Sequence, residues 1–352
     1  MGLRDRLIAQ IQAQGPMTVA QYMTACLHDP ADGYYATRPA LGAAGDFITA
    51  PLVSQMFGEL IGLWLVETWA RLGRPDPVRL VEMGPGDGTL MSDLLRATRL
   101  DPEFTAACDV WLVEVSEPLR RLQRQGLGET LNWAAGLAEI PGGAPMLLVA
   151  NELLDCLPAR QFVRGERGWA ERMVGLDAAG DLTFGLAAAP LGKLLPPAPA
   201  GAILEHSAAQ EALGAEIGAR ISADGGAALL IDYGRDAPGF GDTLQALVRH
   251  RKVSPLATPG EADLTVHADF PAVLAAAERA GAVAAPILTQ GDFLVRLGIG
   301  ARAEALANSR PDKSDEIERQ LERLVAPDQM GQLFKVACLH QPGLIPPAFE
   351  TP

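Results

Sequence analysis

Lysine is almost absent from this chain: only Lys193, Lys252, Lys313 and Lys335 stand among 29 basic residues, against 43 acidic ones, for a formal charge of −14. Such a surface repels phosphate backbones and anionic lipid, so no nucleic-acid partner is expected and a partner presenting Arg or Lys is favoured. The same charge also serves plain solubility. Cysteine is scarce as well. Cys26, Cys108, Cys156 and Cys338 lie far apart, with no C-x-x-C pair and a neighbouring His only at Cys26/His28, so neither a disulfide framework nor a metal site is expected. Long apolar runs are missing: GELIGLWLVETW is broken by Glu59 and Glu67, short of the roughly 18 residues a membrane span needs. No membrane insertion is expected. The N-terminal MGLRDRLIAQIQAQG is amphipathic, without the apolar centre of a signal peptide or the acid-free composition of a transit peptide. With Arg far above Lys and with abundant Ala and Gly, the expectation is a cytoplasmic protein from a G+C-rich bacterium.

What is present points to a folded enzyme-sized chain. At 48% hydrophobic and 20% charged residues the sequence has enough apolar content to bury a core. Its 352 residues allow two domains, or one large α/β domain with insertions. Residues 3–14 and 18–28 have helical spacing, with Thr18 as an N-cap. Residues 29–51, rich in Gly, Pro and Asp with interleaved aromatics, read as an ordered loop, and a long helix runs from about Val53 to Leu72. From Val78 short apolar runs alternate with helical stretches: 78–83, 109–115, 131–136, 145–153, 227–234, 282–288 and 333–339. Runs without polar alternation are strands covered on both faces, and their alternation with helices predicts a doubly wound, mostly parallel sheet. Residues 160–186 alternate with period 2 and predict an antiparallel meander, while 293–325 read as a helical insertion.

The run VRLVEM leads into Gly84-Pro85-Gly86-Asp87-Gly88-Thr89 and a helix. Glycines at such a turn let the backbone approach a ligand, and the helix start offers free N–H groups. A dinucleotide fingerprint would need Gly or Ala where Thr89 stands. E-x-G-x-G-x-G is instead the pattern of class I S-adenosylmethionine (SAM) methyltransferases, in which Glu82 or Asp87 can face the cofactor's cationic amino group. Glu114 ends the next strand, at the edge where open parallel sheets bind ligands, and a carboxylate there can accept bonds from ribose hydroxyls. A solvated strand-end residue is the plainer alternative. After the fourth strand, Asn151-Glu152-Leu153-Leu154-Asp155 sets an amide and two carboxylates where a methyl donor would lie. They either cap the following turn and face water, or hold a guanidinium in line with the methyl group.

Beyond these residues, the chain resembles the MidA-like family of class I methyltransferases, whose mitochondrial members act in respiratory complex I assembly by symmetrically dimethylating an arginine. The resemblance runs through GDFITAP (45–51), SQMFGE (54–59), NELLDCLP (151–158), WAERMV (169–174), LLIDYG (229–234), DTLQA (242–246), EADLTVHADF (261–270), TQGDFLVRLGI (289–299) and MGQLFKV (330–336). Cys156 stands where the family pattern has Ala. The resemblance implies a seven-stranded methyltransferase domain over 76–352, with insertions at about 160–195 and 292–330, and a helical extension over 1–75 that covers the site. It implies that Glu82, Gly84, Gly86, Asp87, Gly88, Glu114, Asn151 and Thr49 bind SAM. Glu152, Asp155 and Asp46 become the catalytic candidates. The implied partner is a protein presenting arginine, with the quinone-site subunit of complex I as one candidate. Two alternatives stay open: a SAM-fold assembly factor without catalysis, and a small-molecule methyltransferase. Tyr233 either covers the site or packs, and His206 and His267 read as structural.

Overall fold

The computed structural model describes residues 1–37, 49–189, 195–248 and 251–350. We number only the strands of its principal sheet: β1 (Val78–Met83), β2 (Cys108–Val113), β3 (Asn132–Ala134), β4 (Met146–Asn151), β5 (Gly226–Arg235), β6 (Val283–Ala284) and β7 (Phe334–His340). Their order across the sheet is 6-7-5-4-1-2-3. The ladders joining β3, β2, β1, β4 and β5 are all parallel. β7 runs antiparallel to both β5 and β6, and Leu288–Thr289 adds a second short pairing to β7.

Apolar side chains without alternation produce this sheet because both faces are covered. Leu80, Leu112, Leu147, Val149, Leu229 and Ile231 pack on one face against Phe57, Leu60 and Trp64. Those three belong to α1 (Gln55–Arg71), whose start is capped by Ser54 accepting the Met56 amide. Val81, Leu148, Leu230 and Leu339 pack on the other face with Ile217, Ile221, Phe270 and Val273. α1 lies close on α2 (Thr89–Thr98): a Cβ on Gly58 would sit 2.5 Å from the Asp93 Cβ, and one on Gly62 would sit 2.7 Å from the Ala97 Cβ. The chain enters β1 and then turns to β2 on one side, returning to β4 on the other. The order reverses between β1 and β4, so a crevice opens at their carboxyl ends.

A smaller antiparallel sheet contains Arg160–Gly165, Gly168–Leu176, Leu182–Ala188 and Ile203–His206, and Met17–Thr18 pairs with Met173 and Val174 at its side. The helix Val19–His28 begins with a full capping box between Thr18 and Gln21. Three further short strands, Gln245–Val248, Arg251–Val253 and Asp263–Thr265, form their own antiparallel sheet. Nothing in the periodicity of that stretch signalled them. Of the segment read as a loop over 29–51, short helical turns occupy Tyr34–Thr37 and Ala50–Val53, and the remainder falls largely outside the described residues. Among the described residues no helix is long and apolar enough to cross a membrane, and no group of three or more His, Cys, Asp or Glu side chains is placed to hold a metal ion.

Candidate active site

The turn after β1 needs its glycines. Gly84, Gly86 and Gly88 have φ of 65°, 55° and 87°, the left-handed region that costs residues with a Cβ. The Gly84 amide bonds the Val113 carbonyl of β2 at 3.0 Å, and Asp87 closes the turn by accepting the Thr89 amide at 3.0 Å. Gly88 is the residue from which α2 starts. Between this turn and the end of β4 lies a narrow cleft of about 80 Å³. Thr49, Glu82, Gly84, Gly86, Asp87, Asn151 and Glu152 line it, so the fold brings seven of the residues singled out in the sequence to one place. Pro51 and Leu52, from the segment preceding α1, form its other wall. Asp46 lies outside the described residues.

Two buried acceptor atoms in this lining, Glu82 Oε2 and Asn151 Oδ1, have no hydrogen-bond partner among the described residues. Burial, with the Asp87 charge adding to it, pushes the Glu82 carboxyl up to about 8, although the Met91 amide opposes the shift. An unsatisfied carboxylate and amide oxygen facing one cleft are a site for a cationic donor group, and the SAM ammonium is one. The residues present therefore fit that cofactor.

Glu114 does not line the cleft but stands beside the turn. Its Oε1 accepts the Ser116 amide at 2.7 Å, and its Oε2 lies 3.5 Å from Gln123 Nε2. Burial raises its pKa, partly opposed by those donors. Gln123 also donates to the Gly86 carbonyl at 2.8 Å and accepts from Trp133 Nε1 at 2.9 Å, locking β2, β3 and the glycine turn together. Sequence reading missed Gln123. Its signal was the spacing from Leu119, which marks the buried face of an otherwise polar helix.

After β4 the two carboxylates part. Glu152 has φ of 52°, a left-handed conformation unusual for a residue with a long side chain. Its Oε1 accepts the Ala50 amide at 3.3 Å and Asn151 Nδ2 at 3.2 Å. Burial and the nearby Asp155 raise its carboxyl to about 8. Asp155 is turned into the protein, away from the cleft lining, and its carboxylate accepts a short hydrogen bond from the Tyr233 hydroxyl. Burial raises its pKa while that phenol lowers it. Of the two carboxyl groups expected to clamp a guanidinium, Glu152 lines the cleft and Asp155 is not among the lining residues. Tyr233 packs on His267 and Phe334 as well as bonding Asp155, and burial lowers the pKa of His267. Tyr35 reaches in from the N-terminal segment and donates to Asp263 at 3.2 Å. Cys156 is buried, its thiol bonding the Leu153 carbonyl at 3.0 Å.

A parallel sheet with this strand order, a glycine turn after β1 and an acidic residue closing β2 defines a class I SAM-dependent methyltransferase. Residues 60–288 match the family described as "Putative S-adenosyl-L-methionine-dependent methyltransferase". The chain is 36% identical over 384 residues to the mitochondrial protein arginine methyltransferase NDUFAF7 homolog of Drosophila melanogaster, covering 97% of this chain and 85% of that protein. To the human mitochondrial protein arginine methyltransferase NDUFAF7 it is 33% identical over 371 residues, covering 95% and 82%. A crystal structure from Burkholderia thailandensis with S-adenosyl-homocysteine bound superposes with a TM-score of 0.85 at 27% identity, covering 99% of this chain and 92% of that one. The chain belongs to this family of SAM-dependent methyltransferases.

Proposed function

We propose that the chain transfers methyl groups from SAM to an arginine side chain of a protein. The observation that carries this reading is Glu152: a buried carboxyl group at the cleft, accepting from two neutral donors and, among the described residues, from no cation, so that its pKa is pushed up to about 8. An acceptor bringing its own positive charge completes that pairing. The relatives named as arginine methyltransferases lend support from the other direction.

When bound, SAM supplies an electrophilic methyl group on its sulfonium. Glu82 and Asn151 would hold its ammonium, the main chain of Gly84, Gly86 and Gly88 would let it approach, Asp87 holds the turn, Glu114 would take the ribose hydroxyls, and Thr49 would close the cleft. Glu152 binds the guanidinium and orients one nitrogen toward the methyl. Arginine stays protonated at any working pH, so positioning supplies most of the acceleration, and Glu152 takes the proton released as the new N–C bond forms. Asp155 supports it, and Asp46 is the third catalytic candidate. In this reading 1–75 is an extension over the site, and 76–352 is the methyltransferase domain with insertions at about 160–195 and 292–330.

We place the protein in the bacterial cytoplasm, and we take the quinone-site subunit of respiratory complex I as the first acceptor to try. Incubation with methyl-labelled SAM and the host's own proteins tests the function. Label on arginine of a protein band supports it, whereas label confined to small molecules, or none at all, overturns it.

A further inference from the structure

Two adjacent residues near the carboxyl end of β5 are not among those lining the cleft, yet they hold the two residues that close the turn after Glu152, Leu154 and Asp155. Asp232 is fully buried, and its partners among the described residues are main-chain amides. Its Oδ2 accepts Leu154 N at 2.8 Å and Asp155 N at 3.1 Å, and its Oδ1 accepts Tyr233 N at 2.8 Å. The Tyr233 hydroxyl donates to Asp155. The Glu152 amide bonds the Ile231 carbonyl at 2.8 Å, so β5 grips the turn at 152, 154 and 155 in succession. A left-handed non-glycine residue persists only where its surroundings over-determine it, and here one strand end does so. Asp232 spends both carboxyl oxygens on main-chain amides, although burial and the neighbouring Asp155 and Glu152 raise its pKa well above the ordinary value.

We infer that Asp232 and Tyr233 are positioning residues for methyl transfer: Asp232 holds the main chain of the 152–155 turn so that Glu152 meets the cleft, and Tyr233 keeps the Asp155 carboxylate turned inward behind it. The inference rests on Glu152 being the acceptor-facing group. The titratable side chains that feel the Asp155 charge are Glu152, Asp232, Cys156, Tyr35 and Tyr233, and Asp263 acts in turn on Glu152, Cys156 and Tyr35. Among these Tyr233 donates a hydrogen bond to the Asp155 carboxylate, which favours its ionised form. Without that bond Asp155 stays protonated to higher pH. A neutral Asp155 repels Glu152 less, so Glu152 then ionises at lower pH.

Tyr233→Phe removes only the hydroxyl. The full-length protein, labelled with ¹³C at Asp and Glu carboxyls, is titrated by NMR, SAM affinity is measured by calorimetry, and transfer is followed with methyl-labelled SAM and the host's soluble proteins. The expected result has three parts: opposite shifts of the Asp155 and Glu152 titrations, a cofactor Kd within about twofold of the parent, and transfer reduced roughly 10-fold or more. Tyr22→Phe, which loses a bond to the Pro255 carbonyl and none to the 152–155 turn, should leave the titrations where they were. Asp232→Asn should lower transfer at unchanged cofactor affinity, and if it does not fold, Tyr233→Phe decides alone. Unmoved titrations in Tyr233→Phe overturn the inference, as does full transfer despite moved titrations. Glu152→Gln run in parallel separates the two ideas. If it is inactive while Tyr233→Phe is normal, only the positioning role falls; if it is fully active, the reading of Glu152 falls with it.

Discussion

Ala50 and Glu152 are joined across the cleft: the Ala50 amide donates to Glu152 Oε1 at 3.3 Å, linking the segment before α1 to the turn after β4. The bond fixes the carboxyl group from the side of the segment before α1, and a Gln at this position can keep it through its own Oε1. Glu152→Gln should therefore retain SAM affinity within about twofold while methyl transfer falls by roughly 10²- to 10⁴-fold, the span expected when a general base is lost. Calorimetry and labelled transfer on one preparation measure both. Parallel losses of affinity and activity would put Glu152 among the cofactor ligands instead.

Glu82 gives a pH signature. Without ligand its carboxyl ionises only near pH 8, far above its ordinary value, because burial and Asp87 oppose the charge. A cationic amino group favours the ionised form, so binding below that pH must expel the proton. Calorimetry at a pH of about 6.5, in buffers of different ionisation enthalpy, should then show proton release on SAM binding that disappears in Glu82→Gln. Affinity should strengthen as pH rises toward 8. Binding of SAM without proton exchange would mean that Glu82 does not meet the ammonium.

Glu114 keeps acceptor capacity beyond its bonds to Ser116 and Gln123. Charge-assisted bonds from a ribose are worth roughly 1.5–3 kcal/mol, so Glu114→Ala should weaken SAM binding about 10- to 150-fold. Because Gln123 still ties the glycine turn to β3 in that variant, the melting temperature without ligand should move far less than the affinity. Unchanged affinity would mean that Glu114 does not meet the ribose.

The principal sheet was legible because its strands are buried on both faces: VRLVEM, MLLVAN and FKVACLH carry their burial in plain apolar runs. The glycine turn was legible because a positive φ leaves a residue type as its trace. Glu152 has a positive φ without being glycine, so nothing in the sequence signalled its left-handed backbone. The roles of Gln123, Asp232 and Tyr233 depend on bonds between segments far apart in the chain, which spacing does not encode. The strands Gln245–Val248, Arg251–Val253 and Asp263–Thr265 escaped for a related reason. Each is only three or four residues long, and the charged RHRKVSP stretch shows no clean alternation.

The most direct test is to locate the transferred methyl group. The enzyme and its Glu152→Gln variant are incubated at saturating deuterated-methyl SAM with host proteins that include complex I subunits, and the labelled residue is identified by mass spectrometry. The account predicts label on an arginine guanidinium with the parent enzyme and its loss in the variant at unchanged cofactor occupancy. Label on another residue type, or equal labelling by the variant, would contradict it.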